Sequence, residues 1–247
     1  MTDTAHYRRE LVGEVRKIHH LLSKASDRDL GGPSACSGWS VLDVGRHVEI
    51  TPHSVAANID AHASGEQPRT IERLSSQAVR AEVLASLLDG AEALDVALAV
   101  LGDDDLDGLL PGPAGPMPGR AALDLALTEL TLHRCDIELG LGSAPHIDAA
   151  VAERLLDIVQ AWLLLTAPAD PIPDAPTCVE LRGNQRSWFF SFDGSRWTDE
   201  ECATEDVVDT ENAAELVLAM AGRQRMMHPQ PSTAAALSRL KSFLPGP

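Results

Sequence analysis

The sequence predicts a mainly α protein with a smaller α+β domain at its C-terminal end. Apolar residues recur at helical spacing over the first two-thirds of the chain, whereas runs of β-forming residues begin only after residue 176. Residues 167–176 between these parts are rich in Pro, Ala and Asp, which is typical of a linker. We therefore expect a helical bundle over residues 1–166 and a small sheet packed with helices over residues 177–247.

The first predicted helix spans about residues 5–25. Its apolar residues lie at helical spacing and predict one buried face: Leu11, Val15, Ile18 and Leu22. A second helix should begin after Ser40, because a Ser followed three residues later by Asp43 resembles a capping box. This helix carries His47 near its buried face, and Pro52 should kink or interrupt it.

Three further helices complete the predicted bundle. The third covers about residues 71–101 and ends at an acidic stretch rich in Gly and Pro, residues 102–119. The fourth is marked by apolar residues at helical spacing, namely Leu123, Leu127, Leu130 and Ile137, and ends at Gly140. The fifth begins after Asp148.

The last third of the chain changes from helical to strand-like patterns. Residues 177–182 and 187–192 are rich in β-formers and are separated by four turn-forming residues, which predicts a hairpin. Shorter strands are expected at 196–198 and 205–209. Helical spacing returns at 213–221 and again at 233–243, so this part reads as a small α+β module.

Charge and composition exclude several classes of partner. The formal net charge is −17, with 37 acidic against 20 basic residues and no basic cluster, so binding to nucleic acid or to an anionic membrane is disfavoured. No secretory signal or membrane span is evident, and we expect a cytoplasmic protein. The four cysteines are scattered without a CxxC pair, which favours reduced thiols over a disulfide framework.

Glu129 and His133 form the most informative pair of residues in the chain. They stand four residues apart in an apolar helical run, so their side chains lie on one face, one turn apart. With the distant His47 they would make a set of two imidazoles and one carboxylate, which leaves a fourth zinc position open for water or substrate. The same spacing also occurs on ordinary helix surfaces.

Two segments resemble a known family. The stretch Gly38-Trp39-Ser40-Val41-Leu42-Asp43-Val44-Gly45-Arg46-His47 and the later Glu129-Leu130-Thr131-Leu132-His133-Arg134-Cys135-Asp136 are similar to motifs of the mycothiol-dependent maleylpyruvate isomerase family. The segment from Asn212 to Arg223 resembles the C-terminal module of that family, although Ala219-Met220-Ala221 stands where a Trp is often found. The resemblance spans nearly the whole chain and implies a DinB-like up-and-down helix bundle.

The resemblance implies a metal- and thiol-dependent enzyme. A divalent metal, with zinc the first expectation, would be held by His47, Glu129 and His133, although nickel, cobalt or iron would accept the same ligands. Mycothiol would be the cosubstrate, activated as a thiolate to isomerise or S-conjugate a small electrophile. Arg223 would bind an anionic group as a further catalytic residue. Substrate specificity is expected in the loop at 102–119.

Other residues near these motifs have weaker claims to the site. Asp136 follows His133 by one turn and could orient it, or could be a simple surface acid. Trp39 is expected to anchor the helix start, and Cys135 to be a small buried hydrophobe. His19, His20, His53 and His62 could line the pocket, with His53 as the preferred extra candidate, but an exposed or a hydrogen-bonded core histidine is the better expectation for each. Arg73 and Arg80 could bind anions.

Two other functions remain open at this point. A metal-dependent hydrolase on the same bundle would use bound water as its nucleophile instead of a thiolate. A non-catalytic binding protein would keep the fold, and with it the metal, but release its small molecule unchanged. Nothing in the residues distinguishes maleylpyruvate from another electrophile, because a scaffold predicts chemistry less specifically than a site does.

Overall fold

The structure, a computed structural model, describes residues 3–112, 115–165, 173, 176–183, 185–210, 212–223 and 231–243. Contacts divide the chain into two compact units, Met1–Pro145 and His146–Pro247. The helix at 149–165 therefore groups with the second unit, although the sequence analysis placed it in the first. Most of the predicted linker lies outside the described residues. No helix among those described is long and apolar enough to cross a membrane.

The first unit is a bundle of helices with a short two-stranded ribbon. Its elements are α1 (Asp3–Lys24), α2 (Asp27–Leu30), α3 (Val41–Val48), α4 (Ile50–Ser64), α5 (Arg80–Val100), α6 (Asp103–Asp107), β1 (Leu109–Leu110), β2 (Met117–Pro118) and α7 (Gly119–Gly140). Helix α1 packs on α5 and α7, α4 packs on α5, and α3 packs on α7. The predicted apolar stripe of α1 is fully buried at Leu11, Val15, Ile18 and Leu22, as its helical spacing requires.

The second predicted helix is divided at Glu49 into α3 and α4. Pro52 lies in the first turn of α4, where its missing N–H leaves the carbonyl of Val48 without a helical donor. The predicted break near this proline is therefore confirmed. At the other end of α3, Ser40 caps the helix as predicted, because its Oγ accepts the Asp43 N–H at 3.1 Å while the Asp43 carboxylate accepts the Ser40 N–H at 3.0 Å.

The replacement Ser40→Ala is expected to lower the free energy of unfolding by about 1 kcal/mol, since it leaves a backbone N–H at the start of α3 without its acceptor. Urea denaturation followed by circular dichroism measures the change. The variant Ser40→Thr keeps a hydroxyl acceptor and should lose less than Ser40→Ala. Equal losses in the two variants would contradict a capping role for this side chain.

The third predicted helix begins later than expected. Residues 66–79 are not helical, and α5 starts at Arg80. At the start of α5, Glu82 Oε2 accepts the Val79 N–H at 2.8 Å, as the acidic residue of a capping box does. Within the non-helical segment, the Leu74 N–H donates to Glu49 Oε1 at 3.1 Å. Tertiary hydrogen bonds thus replace helical ones in this segment. The acidic stretch at 102–119, expected as a loop, contains α6, β1 and β2.

In its described residues, the second unit contains a small sheet and three helices. Its elements are α8 (Ala149–Leu165), β3 (Thr177–Gly183), β4 (Arg186–Phe192), β5 (Trp197–Thr198), β6 (Val207–Asp209), α9 (Ala213–Met220) and α10 (Pro231–Phe243). The strand order is β5-β4-β3-β6. Strands β3 and β4 form the predicted hairpin with Val179 opposite Phe190, whereas β6 pairs with β3 in parallel. Val179 and Phe190 are both buried.

The sequence analysis predicted that the cysteines are reduced, and for two of the four this is wrong. Cys178 in β3 and Cys202 before β6 form a disulfide, while Cys36 and Cys135 are free thiols. The two bonded residues are 24 positions apart and belong to no recognisable motif. Only the parallel pairing of β6 with β3 brings the segment before β6 beside the start of β3, which is why spacing along the sequence could not predict the bond.

Candidate functional site

Helices α3 and α7 bring the three predicted ligand residues together. Glu129 and His133 lie one turn apart on α7, and α3 packs beside them with His47 in its last turn. Glu129 Oε1 lies 3.0 Å from His47 Nε2 and 3.4 Å from His133 Nε2. One carboxylate oxygen therefore lies within 3.4 Å of a ring nitrogen of each histidine. We call His47, Glu129 and His133 the three-residue cluster.

The three-residue cluster is open on one side. The His133 side chain is 10% exposed, compared with 30% for His47 and 41% for Glu129. Trp39 lies against both imidazoles, with its ring centroid 4.8 Å from that of His47 and 6.3 Å from that of His133. Trp39 thus borders the cluster as well as preceding α3, which goes beyond the anchoring role that the sequence predicted. A molecule can approach from the side of Glu129.

The cluster combines an ionised carboxylate with two imidazoles whose pKa values are shifted in opposite directions. Burial lowers the pKa of His47. Burial also opposes the imidazolium of His133, but hydrogen bonds with Asp136, Cys36 and Glu129 outweigh it and raise the pKa of His133 to about 11. Burial disfavours the charge on Glu129, yet both imidazoles hold the pKa of its carboxyl below the ordinary value. A cation that binds here must therefore displace a proton.

Asp136 orients His133 from the side opposite the cluster. Its Oδ2 lies 3.0 Å from His133 Nδ1, and the carboxylate is fully buried. A carboxylate can only accept at neutral pH, so this contact places a hydrogen on Nδ1 and leaves Nε2, which faces Glu129, as the nitrogen that would give up its proton to a cation. Metal-ligating histidines are commonly fixed in this way. The structure thus places Asp136 in the orienting position and not on the surface.

Cys36 was missed by the sequence analysis. Its Sγ lies 3.0 Å from Asp136 Oδ2 and 3.9 Å from His133 Nδ1. Cys36, His133 and Asp136 form a second group of potential metal ligands in the described part of the chain. His133 contacts the three-residue cluster through Nε2 and the second group through Nδ1. Because Nε2 is the nitrogen that faces the cluster, we interpret the contact between Nδ1 and Asp136 as a hydrogen bond that orients the ring. The only sequence signal for Cys36 was its place three residues before Trp39.

The chemistry and spacing of the three-residue cluster fit a divalent metal ion. Two imidazoles and one carboxylate are a typical catalytic zinc set, which leaves a fourth position open. Bonds of about 2.0–2.1 Å to a tetrahedral ion place two ligand atoms about 3.3 Å apart. The measured distances of 3.0 and 3.4 Å between the carboxylate oxygen and the two Nε2 atoms are close to that value. The three ligand atoms all lie within 4.8 Å of one another, which is compatible with a single small ion held between them.

The other predicted site residues lie elsewhere or have other partners. His53, the preferred extra candidate for the pocket, is not in the cluster; its Nε2 bonds to the Ser86 carbonyl at 2.9 Å, which agrees with the expectation of a histidine satisfied by a hydrogen bond. Arg80 donates to the Ser23 carbonyl and to Asp27. Arg73 Nη1 lies 3.5 Å from His47 Nδ1 at the exposed edge of the cluster.

The remaining candidates have contacts of their own. His62 Nε2 lies 3.2 Å from Asp105 Oδ1, and His19 and His20 are outside both groups of potential ligands. Cys135 is fully buried, and burial raises the pKa of its thiol to about 12, as expected of a small hydrophobe. Arg223 belongs to the second unit, where it donates to the Ala221 carbonyl at 2.8 Å, and its role in anion binding stays a prediction.

Comparisons with known proteins agree with the fold and with the motifs. The family model described as the mycothiol maleylpyruvate isomerase N-terminal domain matches residues 11–138, about half of the chain, which include both cluster-bearing segments. Two crystal structures of the mycothiol-dependent maleylpyruvate isomerase, one of a point mutant, have a TM-score of 0.64 at 15% and 16% identity. Each match covers 92% of this chain and 96% of the chain in the crystal structure.

These structural matches confirm the predicted mainly α fold with a smaller α+β part. At identities below 25% they support the fold alone. No curated protein sequence matches the chain. The match of the family model to about half of the sequence also confirms the resemblance seen in the motifs around His47 and His133. The chain therefore belongs to the mycothiol maleylpyruvate isomerase N-terminal domain family.

Proposed function

We propose that this protein is a metal-dependent enzyme that uses mycothiol as an activated thiolate to isomerise or S-conjugate a small electrophilic substrate. The convergence of His47, Glu129 and His133 around a single carboxylate oxygen carries the proposal. Family membership supports mycothiol as the thiol. The net charge of −17 supports a small molecule as the partner in preference to nucleic acid.

Within this proposal the three-residue cluster holds the ion and leaves one position for a ligand. Such an ion, with zinc expected first, would supply positive charge that favours a thiolate over a thiol at neutral pH. Asp136 keeps the hydrogen of His133 on Nδ1, so that Nε2 stays available. Trp39 covers the two imidazoles and limits water on that side. Glu129, the most exposed of the three, faces the open side.

The thiol step is balanced without an added oxidant or reductant. The sulfur, having lost its proton, forms a C–S bond to the carbon β to a carbonyl, and the double-bond electrons move to the carbonyl oxygen. Rotation about the resulting single bond, followed by return of the electrons from the carbonyl oxygen and cleavage of the C–S bond, restores the double bond in its other geometry and releases the sulfur as a thiolate. In S-conjugation the adjacent carbon takes a proton, and the C–S bond remains. Arg223 is proposed to bind a carboxylate of the substrate.

The purified protein is expected to contain about one divalent ion per chain and to turn over an electrophile only when mycothiol is present. A free thiol is only a few per cent ionised at neutral pH. Since the bound ion should ionise the thiol almost fully, a factor of about 30, and should also stabilise the charge of the transition state, chelation is expected to lower the rate at least about 10³-fold. Elemental analysis measures the metal. Mass spectrometry of thiol adducts with a panel of electrophiles, maleylpyruvate among them, measures the chemistry.

The outcomes separate the three functions. Absence of stoichiometric metal from the wild-type protein, with the same result in His47→Ala, would exclude both the thiol-dependent enzyme and the hydrolase. Metal-dependent turnover that is indifferent to mycothiol would favour a hydrolase in which bound water is the nucleophile. A small molecule that binds and is recovered unchanged would favour a binding protein.

A further inference from the structure

The loop that carries Cys36 is held closely against α7. This loop, residues 31–40, lies between α2 and α3, and its Ala35 N–H donates to the Asp136 carbonyl at 3.5 Å. Gly140 allows the close approach, because a Cβ there would lie 3.0 Å from the Ser34 Cα. The Ser34 hydroxyl accepts the Cys36 N–H at 3.1 Å. The backbone of Cys36 is thus fixed before its thiol makes any contact.

The Cys36 thiol and the His133 imidazole share one carboxylate oxygen. The S–H donates to Asp136 Oδ2 at 3.0 Å, and the same oxygen lies 3.0 Å from His133 Nδ1. Asp136 has no exposed surface. Because a buried carboxylate depends on its donors for stability and orientation, removal of one donor should loosen the position of the shared oxygen.

We propose that Cys36 is a positioning residue of the metal site: its S–H holds the Asp136 carboxylate so that Oδ2 receives the His133 Nδ1–H and Nε2 points toward Glu129. The inference rests on the proposed function, because it assigns a role with respect to an ion held by the three-residue cluster. Cys36 itself is not a ligand of that ion, since its sulfur faces the Nδ1 side of the ring.

A packing role for Cys36 makes a different prediction from a hydrogen-bonding role. Cys135, one residue from Asp136 on α7, is fully buried, and its thiol makes no hydrogen bond among the described residues. It therefore serves as the matched thiol that only packs. At position 36, Ser keeps a donor, whereas Ala and Val remove it, and Val keeps apolar volume as well. A positioning role requires that Ser alone preserves the property of the site.

The experiment measures metal affinity in the full-length protein by competition with a chelator, using Zn²⁺ and then Co²⁺. Cys36→Ala and Cys36→Val are expected to bind about 10-fold more weakly, which is the lower end of the effect of residues that orient metal ligands. Cys36→Ser and Cys135→Ala should stay within about 3-fold of wild type, below that range. The Co²⁺ visible spectrum should keep its tetrahedral bands in all variants but shift in Cys36→Ala.

A double-mutant cycle tests whether Cys36 acts through Asp136. In an Asp136→Asn background, Cys36→Ala should weaken metal binding no further, because the shared oxygen is already lost as an ionised acceptor. Additive losses, an unchanged affinity in Cys36→Ala, or an equal loss in Cys36→Ser would each overturn the inference while leaving the proposed function intact. A sulfur-to-cobalt charge-transfer band in wild type would also overturn it. Failure of the wild-type protein to bind either metal would overturn both.

Discussion

Replacing Glu129 by Gln is expected to abolish stoichiometric metal binding and to lower kcat/KM with mycothiol by at least about 10³-fold. Glu129 is the only carboxylate in the three-residue cluster, and its oxygen lies within 3.4 Å of both Nε2 atoms. The amide keeps the shape of the side chain but removes the negative charge that balances the ion. Metal ions stabilise transition states by several kcal/mol, and about 4 kcal/mol corresponds to a factor of 10³.

Elemental analysis and steady-state kinetics measure these two effects. The matched control is Glu92→Gln, which makes the same chemical change at an exposed position of α5. It should keep the metal content and the rate of wild type. The Glu129→Gln protein should unfold at a similar urea concentration to metal-free wild type, since the side chain is 41% exposed. If the Glu129→Gln protein retains a full equivalent of metal, the Glu129 carboxylate is not a ligand of the ion.

Replacing Arg134 by Ala is expected to lower the free energy of unfolding by about 3–5 kcal/mol, a large part of the total stability of a typical domain. Arg134 is 2% exposed and lies between Glu14 on α1 and Glu138 on α7. Glu14 is 6% exposed, so loss of the guanidinium leaves its charge buried, with Lys17 as the one remaining cation that pairs with it among the described residues. The cost arises mainly from this buried charge, which the exposed Lys17 compensates only in part, and not from the loss of an attraction.

The comparison is with Arg8→Ala on the same helix bundle, measured by urea denaturation in the same buffer. Arg8 also pairs with a carboxylate, Asp95, but both side chains are well exposed, at 42% and 36%. That pair should contribute far less to the free energy of unfolding than the buried pair of Arg134 and Glu14. The double variant Glu14→Leu with Arg134→Leu should recover much of the loss, because buried ion pairs are often replaceable by apolar residues. Equal losses for Arg8→Ala and Arg134→Ala would refute the argument from burial.

Local signals predicted most of the helices and strands because the chemistry that defines them is itself local. The capping box at Ser40 and the apolar stripe of α1 involve residues within a few positions of one another, and both are found. The expected start of the third helix at residue 71 failed for the opposite reason. Glu49, far along the chain, takes the Leu74 N–H, and this tertiary bond competes with helix formation.

The site was predictable as a set of residue types but not as an arrangement. Glu129 and His133 could be paired by helical spacing, and the family resemblance added His47. His53 was the preferred extra candidate for the pocket, which only the Pro52 distortion could bring near, but its ring bonds to Ser86 on α5. Cys36 has no spacing relation to α7, and only the packing of its loop places it beside Asp136.

The order of helices and strands, the acidic composition and the residues able to bind a metal could all be predicted from local patterns, because periodicity, charge and ligand chemistry are properties of residues and their neighbours. The tertiary structure alone decided which groups meet. It placed one oxygen of Glu129 near both imidazoles, joined Cys178 to Cys202, and directed Asp136 and Cys36 to the far side of His133. Contacts between distant segments depend on packing, which no local pattern encodes.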